Sequence, residues 1–148
     1  MIDLVPLELE YCKAVAEIAK ESLPEHWSLE GIQDVLRYDN NIYYVARKKN
    51  VIVGFSGIML VADEAELLNI AVREDFRRIG IGNVLLKKML SEALEHGASR
   101  MLLEVRKSNK TAIELYNRNG FCKLGERKNY YSNPVEDALI MERIIEKK

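Results

Sequence analysis

Apolar residues recur at helical spacing in two segments near the start of the chain. Between Leu7 and Leu23 the spacing predicts a helix that Pro24 ends. Its apolar positions are Leu9, Cys12, Val15, Ala16, Ile18 and Ala19. Ser28 is a suitable N-cap for a second helix with the apolar stripe Leu29, Ile32, Val35 and Leu36. Residues 1–5 are expected to form a short edge strand.

Short apolar runs between turn residues predict six further strands. They are Ile42–Arg47, Val51–Val61, Glu66–Arg73, Met101–Val105, Phe121–Lys128 and Ala138–Ile144. Turns are expected at Asn40–Asn41, Lys48–Asn50 and Asp63–Glu64, where polar residues interrupt the apolar pattern.

Two more helical patterns lie in the second half of the chain. One runs from Gly80 to Glu95, with Gly97 as a plausible C′ glycine. The other runs from about Lys110 to Arg118, with capping oxygens before it and Asn119-Gly120 after it. The resulting order, β-α-α-β-β-β-α-β-α-β-β, predicts a mixed sheet with helices on its faces, of class α/β or α+β. Because no linker or repeat divides the sequence, residues 1–148 are expected to form one domain.

Composition narrows the classes of function. The net charge of −1 gives no overall attraction to nucleic acid or to an anionic membrane. Cys12 and Cys122 form no C-x-x-C pair and are expected to be small buried side chains in a reducing compartment. No secretory signal or membrane-length apolar run is present, so a cytoplasmic location is expected. His26 and His96 lack ligand-spaced partners, so no metal site is expected.

The most informative segment is a glycine-containing turn between a strand and a helix. Gly80 and Gly82 allow a close approach of the backbone to a ligand. The first amides of the following helix have no intrahelical partner and favour an anion such as a pyrophosphate. Arg77 and Arg78 add positive charge. The alternative is a glycine-rich turn with exposed arginines.

Two common phosphate motifs do not fit this turn. A Rossmann fingerprint requires a third glycine where Leu85 stands, and a Walker loop requires Gly-Lys-Ser/Thr. The remaining pattern is Arg-x-x-Gly-x-Gly, written here as Arg77-Arg78-Ile79-Gly80-Ile81-Gly82.

This pattern, between a strand and a helix, resembles the signature of the GNAT family of acyl-CoA N-acyltransferases. Other segments are similar to the RimI branch of that family: 69–72, 103–109, 112–116, 119–121 and 129–131. The resemblance runs from about Pro24 to Glu142. It departs from the branch at His26-Trp27, often Pro-Trp, and at Glu74, where proline is common.

The resemblance implies a fold, a co-substrate and an acceptor. The fold is a mostly antiparallel seven-stranded sheet with a splayed parallel central pair and about four helices. The co-substrate is acetyl-CoA, without a metal. The RimI branch acetylates the N-terminal alanine of a small-subunit ribosomal protein, so the acceptor is expected to be a protein or peptide N-terminus.

Glu104 and Tyr116 are the candidate catalytic residues. Glu104 interrupts an apolar strand, and the resemblance implies that it is the proton acceptor. The alternative is a glutamate that reaches solvent or pairs with an arginine. Tyr116 would donate a proton to the departing thiolate, unless it is only a core aromatic. Asn109 lies two helical turns earlier on the same face and is expected to contact the cofactor, cap the helix, or both.

The remaining site residues are expected to bind substrates. The residues assigned to acetyl-CoA are Ile70, Ala71, Val72, Arg77, Arg78, Ile79, Gly80, Ile81, Gly82, Asn83 and Asn109. The resemblance implies that Ile70-Ala71-Val72 offers its backbone to the pantetheine arm. The candidate acceptor-binding residues are Trp27, Glu66, Tyr130 and Tyr131. Asp63-Glu64-Ala65-Glu66 would attract a basic peptide or form a solvated turn.

Three rival functions differ in their demands on the sequence. The same fold and cofactor would suit a lysine, a polyamine, an antibiotic or a small metabolite as acceptor. A non-catalytic acetyl-CoA-binding module would be expected to lack the base or the acid, yet Glu104 and Tyr116 are both present. Nucleic-acid binding has only the cluster Arg106, Lys107 and Lys110 in its favour.

Overall fold

Four α-helices and three short 3-10 turns are present in the computed structural model, which describes residues 1–22 and 27–145. The α-helices are α1 (Cys12–Ser22), α2 (Leu29–Asp34), α3 (Ile81–Glu95) and α4 (Lys110–Arg118). The 3-10 turns are Leu9–Tyr11, Val35–Arg37 and Glu74–Phe76. Ser28 caps α2 as predicted, because its Oγ accepts a hydrogen bond from the Gly31 amide at 3.0 Å. None of the helices in these described ranges is long and apolar enough to span a membrane.

The strands form a single mixed sheet. They are β1 (Ile2–Pro6), β2 (Asn41–Lys48), β3 (Val51–Val61), β4 (Glu64–Val72), β5 (Arg100–Arg106), β6 (Cys122–Tyr131) and β7 (Glu136–Ile144). Their order across the sheet is β1-β2-β3-β4-β5-β7-β6, and every neighbouring pair is antiparallel except β4 and β5. The seven-stranded, mostly antiparallel sheet with a parallel central pair is therefore confirmed.

The parallel pair is joined over a very short length. Glu64 pairs with Arg100, Ala65 with Met101 and Glu66 with Leu102, and the ladder then stops although both strands continue. The two strands therefore leave a gap that begins after Glu66 and Leu102. This gap is the splay that the family resemblance implied.

Side chains tie the closed end of the gap together. The Arg100 guanidinium contacts the carboxylates of Glu64 on β4 and Glu142 on β7. Ser99 donates its hydroxyl to Asp63 just before β4. These contacts fix the point from which β4 and β5 diverge. They also use two carboxylates of the acidic run 63–66 in structural contacts.

The two faces of the sheet carry different hydrophobic layers. One face packs against α3 and α4, through a core that includes Leu86, Met89, Leu103 and Tyr116. The other face of β2, β3 and β4 packs against α1 and α2, through residues that include Ile32, Val45 and Phe55. Side chains alternate along a strand, so neighbouring residues at the gap point to opposite layers.

A bulge in β4, at Leu68, lies beside the gap. The register shifts between Gly57 and Ile58, opposite Leu67 to Asn69. Tyr43 lies directly across from Gly57 on β2, and a Cβ atom at Gly57 would overlap the Tyr43 ring. The Tyr43 hydroxyl then donates to Asn69 Oδ1 at 2.5 Å. Gly57 therefore allows the ring to cross the sheet and anchor β4.

Gly57→Ala is expected to lower the free energy of unfolding by about 2–3 kcal/mol, because a packed ring must move to admit the methyl group. Urea denaturation measures this change. Gly125→Ala is the matched control, because a Cβ atom at Gly125 meets no atom within 4 Å. Equal stabilities for the two variants would contradict the proposed packing constraint.

Most predicted boundaries agree with the structure to within two residues. The predicted first helix is instead the turn Leu9–Tyr11 followed by α1, and Leu23, Pro24 and His26 lie outside the described residues. Asn41 and Glu64 belong to strands rather than turns, and β6 extends to Tyr131.

Cys12 is buried, as expected, but the expectation of burial for Cys122 is wrong. Cys122 is exposed because it begins β6, the edge strand of the sheet.

Candidate active site

The turn before α3 has the backbone of an anion-binding loop. Gly80 has φ of 91° and Arg78 has φ of 66°, both in the left-handed region. Gly80 is the N-cap of α3, and no side chain caps this helix end. The first amides of α3 thus lack intrahelical acceptors and lie at the positive end of the helix dipole. A Cβ atom at Gly80 would meet nothing within 4 Å, so space does not require a glycine here. The positive φ angle does, because residues with a side chain rarely adopt it.

The Arg77 side chain forms hydrogen bonds with other residues of the protein. Its Nε donates to the Val72 carbonyl at 2.9 Å, and its Nη2 donates to Ser22 Oγ at 2.9 Å. The amide of Glu74 donates to Glu21 Oε1 at 2.7 Å. Arg77 therefore links the end of β4 and the anion-binding turn to the last residue of α1. Arg78 and Ile79 are exposed in the same turn.

Asn83 and Gly82 contact α4 and the residue that follows it. Asn119 Nδ2 donates to Asn83 Oδ1 at 2.9 Å, and Leu115 lies 3.6 Å from the position of a Cβ atom at Gly82. Asn119 is buried and also donates to the Leu115 carbonyl. Because Oδ1 of Asn83 accepts this hydrogen bond, the groups of Asn83 that could donate to a ligand are its backbone amide and its Nδ2.

Glu104 lies on the wall of the gap that β5 provides. Met101, Leu103 and Val105 point into the α3/α4 core, so the alternating Glu104 points to the opposite face. Its carboxylate is 23% exposed. Oε1 accepts a hydrogen bond from the Tyr130 hydroxyl at 3.1 Å, and Arg127 Nε lies 2.9 Å from Oε2. The structure therefore also shows the alternative in which Glu104 pairs with an arginine, and this pair lies at the gap.

Tyr116 lies on the other side of the sheet. It is buried in the α3/α4 core, and its ring packs against Phe121 with the centroids 5.7 Å apart. Burial, with a smaller contribution from Tyr131, raises the pKa of the Tyr116 phenol above its ordinary value. The phenol therefore remains protonated at neutral pH. Glu104 and Tyr116 stand on opposite faces of β5, an arrangement that suits a base for one reactant and an acid for the other.

The candidate acceptor residues occupy different parts of the face that carries Glu104. Trp27 is half-buried and packs against Tyr43 and Phe55, with ring centroids 5.8 Å from each. Tyr130 is 48% exposed and meets Tyr131 edge-on at 5.0 Å. The structure therefore brings Tyr130 to the base, with Tyr131 beside Tyr130, and places Trp27 in the α1/α2 layer.

Glu66 is the residue of the acidic run that faces the site. Its neighbours Ala65 and Leu67 are buried in the α3/α4 core, so Glu66 points to the face of Glu104. Its charge acts on the phenol of Tyr130, whose pKa is raised by desolvation, by the hydrogen bond to Glu104 and by both carboxylates. The two walls of the gap thus place two glutamates near one tyrosine.

Asn109 and the basic cluster have structural partners. Asn109 caps α4, because its Oδ1 accepts from the Ala112 amide at 3.2 Å, and the residue remains exposed. Arg106 is only 12% exposed and donates to the Ser132 and Pro134 carbonyls between β6 and β7. Lys107 pairs with Glu126 at 3.0 Å. The cluster that would favour nucleic-acid binding is therefore not a free basic patch.

Three residues near this site were not assigned to it from the sequence. Arg127 and Tyr43 reach the gap region from other strands, and Arg106 holds the segment after Tyr131. An isolated arginine or tyrosine in a strand does not reveal which distant residue it contacts. Among the described residues, no group of three or more His, Cys, Asp or Glu side chains could hold a metal ion.

Residues 12–121 match the model of the Acetyltransferase (GNAT) family. The chain belongs to this family. Within it, the chain is 35% identical over 136 residues to a putative ribosomal protein bS18-alanine N-acetyltransferase from Bacillus subtilis, covering 91% of this chain and 90% of the relative. It is 44% identical over 89 residues to the bS18-alanine N-acetyltransferase of Escherichia coli K12, covering 59% and 60%.

Solved GNAT structures agree with this assignment. The crystal structure of the ribosomal-protein-S18-alanine N-acetyltransferase from Escherichia coli superposes with a TM-score of 0.91 at 31% identity, covering 100% of this chain and 96% of the other. Ard1 from Thermoplasma volcanium also gives a TM-score of 0.91 at 31% identity, covering 99% of each chain. The predicted family and fold are confirmed. The protein is an acetyl-CoA-dependent N-acetyltransferase.

Proposed function

We propose that this protein acetylates the N-terminal α-amine of a protein, with the N-terminal alanine of a small-subunit ribosomal protein as its acceptor. The observation that carries the proposal is the position of Glu104 and Tyr116 on opposite faces of β5, beside the gap. The relatives described above, whose names specify bS18 alanine, support the choice of acceptor. The cytoplasm is the proposed location, because ribosomal proteins are the relatives' acceptors.

The residues of the α3/α4 side fit acetyl-CoA. The free amides at the start of α3 suit its pyrophosphate, and the turn 77–82 leaves them uncovered. Beyond Glu66, β4 is no longer paired with β5, so the backbone of Ile70, Ala71 and Val72 borders the gap. Acetyl-CoA supplies an acyl group activated as a thioester. On this assignment, Asn109 before α4 and Tyr116 on α4 flank the arm that carries the sulfur.

The acceptor amine approaches from the face that carries Glu104. The carboxylate takes the proton that the amine releases as its nitrogen attacks the acyl carbon. Tyr116, protonated on the other face, gives its proton to the departing sulfur. Glu66, Tyr130 and Tyr131 form the entrance to this face, and two carboxylates there favour a cationic N-terminus.

Chemistry favours an α-amine over a lysine side chain. From the unperturbed values, roughly one α-amine in ten is neutral at pH 7, against fewer than one lysine in about a thousand. A single carboxylate base can therefore deprotonate an N-terminal amine more easily than a lysine side chain. A lysine or a small-molecule amine is the second candidate acceptor, because the GNAT fold and acetyl-CoA site would serve it equally well.

Peptides that begin with Ala-Arg or Ser-Arg are expected to be acetylated on their α-amine. Mass spectrometry after incubation with labelled acetyl-CoA would show one added acetyl group, located by fragmentation at residue 1. The same peptide with a blocked N-terminus and a free internal lysine is the control, and it should remain unmodified. Transfer to the internal lysine alone would overturn the proposed acceptor and favour the second candidate.

A further inference from the structure

Arg127 extends from the edge strand towards the candidate base. It pairs with Ala138 on β7, and Ala138 pairs with Arg106 on β5, so Arg127 and Glu104 are separated by one intervening strand. The guanidinium spans that strand and places Nε 2.9 Å from Glu104 Oε2. The same guanidinium lies 5.8 Å from the centroid of the Tyr130 ring. Two residues of β6 therefore hold the two oxygens of one carboxylate.

The two oxygens of Glu104 are held in different ways. Oε1 accepts a hydrogen bond from Tyr130. Oε2 is buried and has the ionic contact with Arg127, but it accepts no hydrogen bond from the described residues. A buried carboxylate oxygen without a hydrogen bond is costly unless a charge compensates it. The contact with Arg127 is therefore what fixes the orientation of Oε2.

The region around Glu104 also holds other polar and charged groups. Glu66 faces the same region from β4, and its charge acts on the same Tyr130 phenol. Tyr130 is the other polar group of β6 that contacts Glu104, and the register partner of Glu104 on β7 is the apolar Ile140. Arg127 supplies the ion pair with Glu104 in this region.

We propose that Arg127 is a positioning residue for the acetyl transfer: its guanidinium fixes the orientation of the Glu104 carboxylate at the gap, so that the carboxylate is aligned to receive the proton of the acceptor amine. The side chain is 60% exposed, so it can move aside as the amine approaches. The proposal rests on the role of Glu104 as base given above. It gives β6 the function of positioning Glu104, which neither the turn 77–82 nor α4 performs.

The test compares three substitutions at position 127 on an Ala-Arg peptide. Arg127→Gln removes the charge, Arg127→Lys retains it, and Arg127→Ala leaves space for added methylguanidinium. Lys128→Gln is the matched control, because it removes the neighbouring charge from a side chain that is 84% exposed and lies 4.0 Å from Asp137. kcat, both KM values and thermal stability are measured for each protein.

Arg127→Gln is expected to lower kcat by about tenfold, because Glu104 loses a partly exposed ion pair that orients its carboxylate. The KM for acetyl-CoA should stay unchanged. Arg127→Lys should recover most of the rate, and millimolar methylguanidinium should restore Arg127→Ala with saturation. Lys128→Gln should behave as the unmodified protein does.

Two results would overturn the proposal. One is an Arg127→Gln enzyme with unchanged kcat. The other is a loss that Lys and methylguanidinium do not restore and that follows the loss of thermal stability. Failure of the proposed function is distinct, because the unmodified protein would then not acetylate the peptide at all.

Discussion

Glu104→Gln is expected to lower kcat on an N-terminal peptide by about 10²- to 10⁴-fold, the range that a positioned general base contributes. Glutamine retains the shape of the side chain and can accept the hydrogen bond from Tyr130, but it cannot take a proton from the amine. The remaining activity should have its optimum at higher pH, because the amine must then lose its proton to solvent. Steady-state kinetics between pH 6 and 9, with acetyl-CoA binding by calorimetry, measures both effects.

Acetyl-CoA binding provides the critical comparison for this variant. The amides of α3 lie on the other side of the sheet from Glu104, so acetyl-CoA affinity should be close to normal. Glu114→Gln is a suitable control, because Glu114 is an exposed glutamate on α4. Lost acetyl-CoA binding with normal turnover of the bound complex would remove Glu104 from the role of base.

Tyr116→Phe is expected to lower kcat by about 10²-fold, the lower end of the contribution of general acid catalysis, because a thiolate is a better leaving group than most. The ring remains packed against Phe121, so thermal stability should change little. Burial raises the pKa of this phenol, so it stays protonated above pH 10 and the rate of the unmodified enzyme should not fall through its ionisation below that pH.

Solvent isotope effects separate this variant from the loss of the base. If Tyr116 delivers the proton to sulfur, the isotope effect on kcat should change when its hydroxyl is removed. Full activity of Tyr116→Phe, with the same isotope effect, would leave the residue with only its packing role against the α3/α4 core.

Local patterns in the sequence were sufficient for most elements of the fold. The limits of α4 follow from Asn109 and Asn119-Gly120, and those of β3 follow from polar residues at both ends. These signals act within a few residues, where capping and turn chemistry dominate. The glycine turn before α3 is local in the same sense, which is why it could be found without a structure.

Contacts between distant strands could not be predicted in this way. Arg127 reaches Glu104 only because β7 inserts between β5 and β6, an order that no local pattern encodes. Arg106 looks like part of a basic cluster in the sequence, yet it folds against the segment after Tyr131. Trp27 looks like a binding residue and packs beside Tyr43. Periodicity gives the face of an element but not its partner.

The short parallel ladder also divides the chain into two successive halves. Strands β1 to β4 pair with one another, and they span Ile2 to Val72. Strands β5 to β7 also pair with one another, and they span Arg100 to Ile144. The two sets are joined at three residue pairs, between Glu64–Glu66 and Arg100–Leu102. On the proposed assignment, the first half and the turn that follows it carry most of the groups for acetyl-CoA, and the second half carries Glu104, Asn109 and Tyr116. Neither half of the chain therefore contains the whole chemistry, and the enzyme exists only as the assembly of the two along that seam.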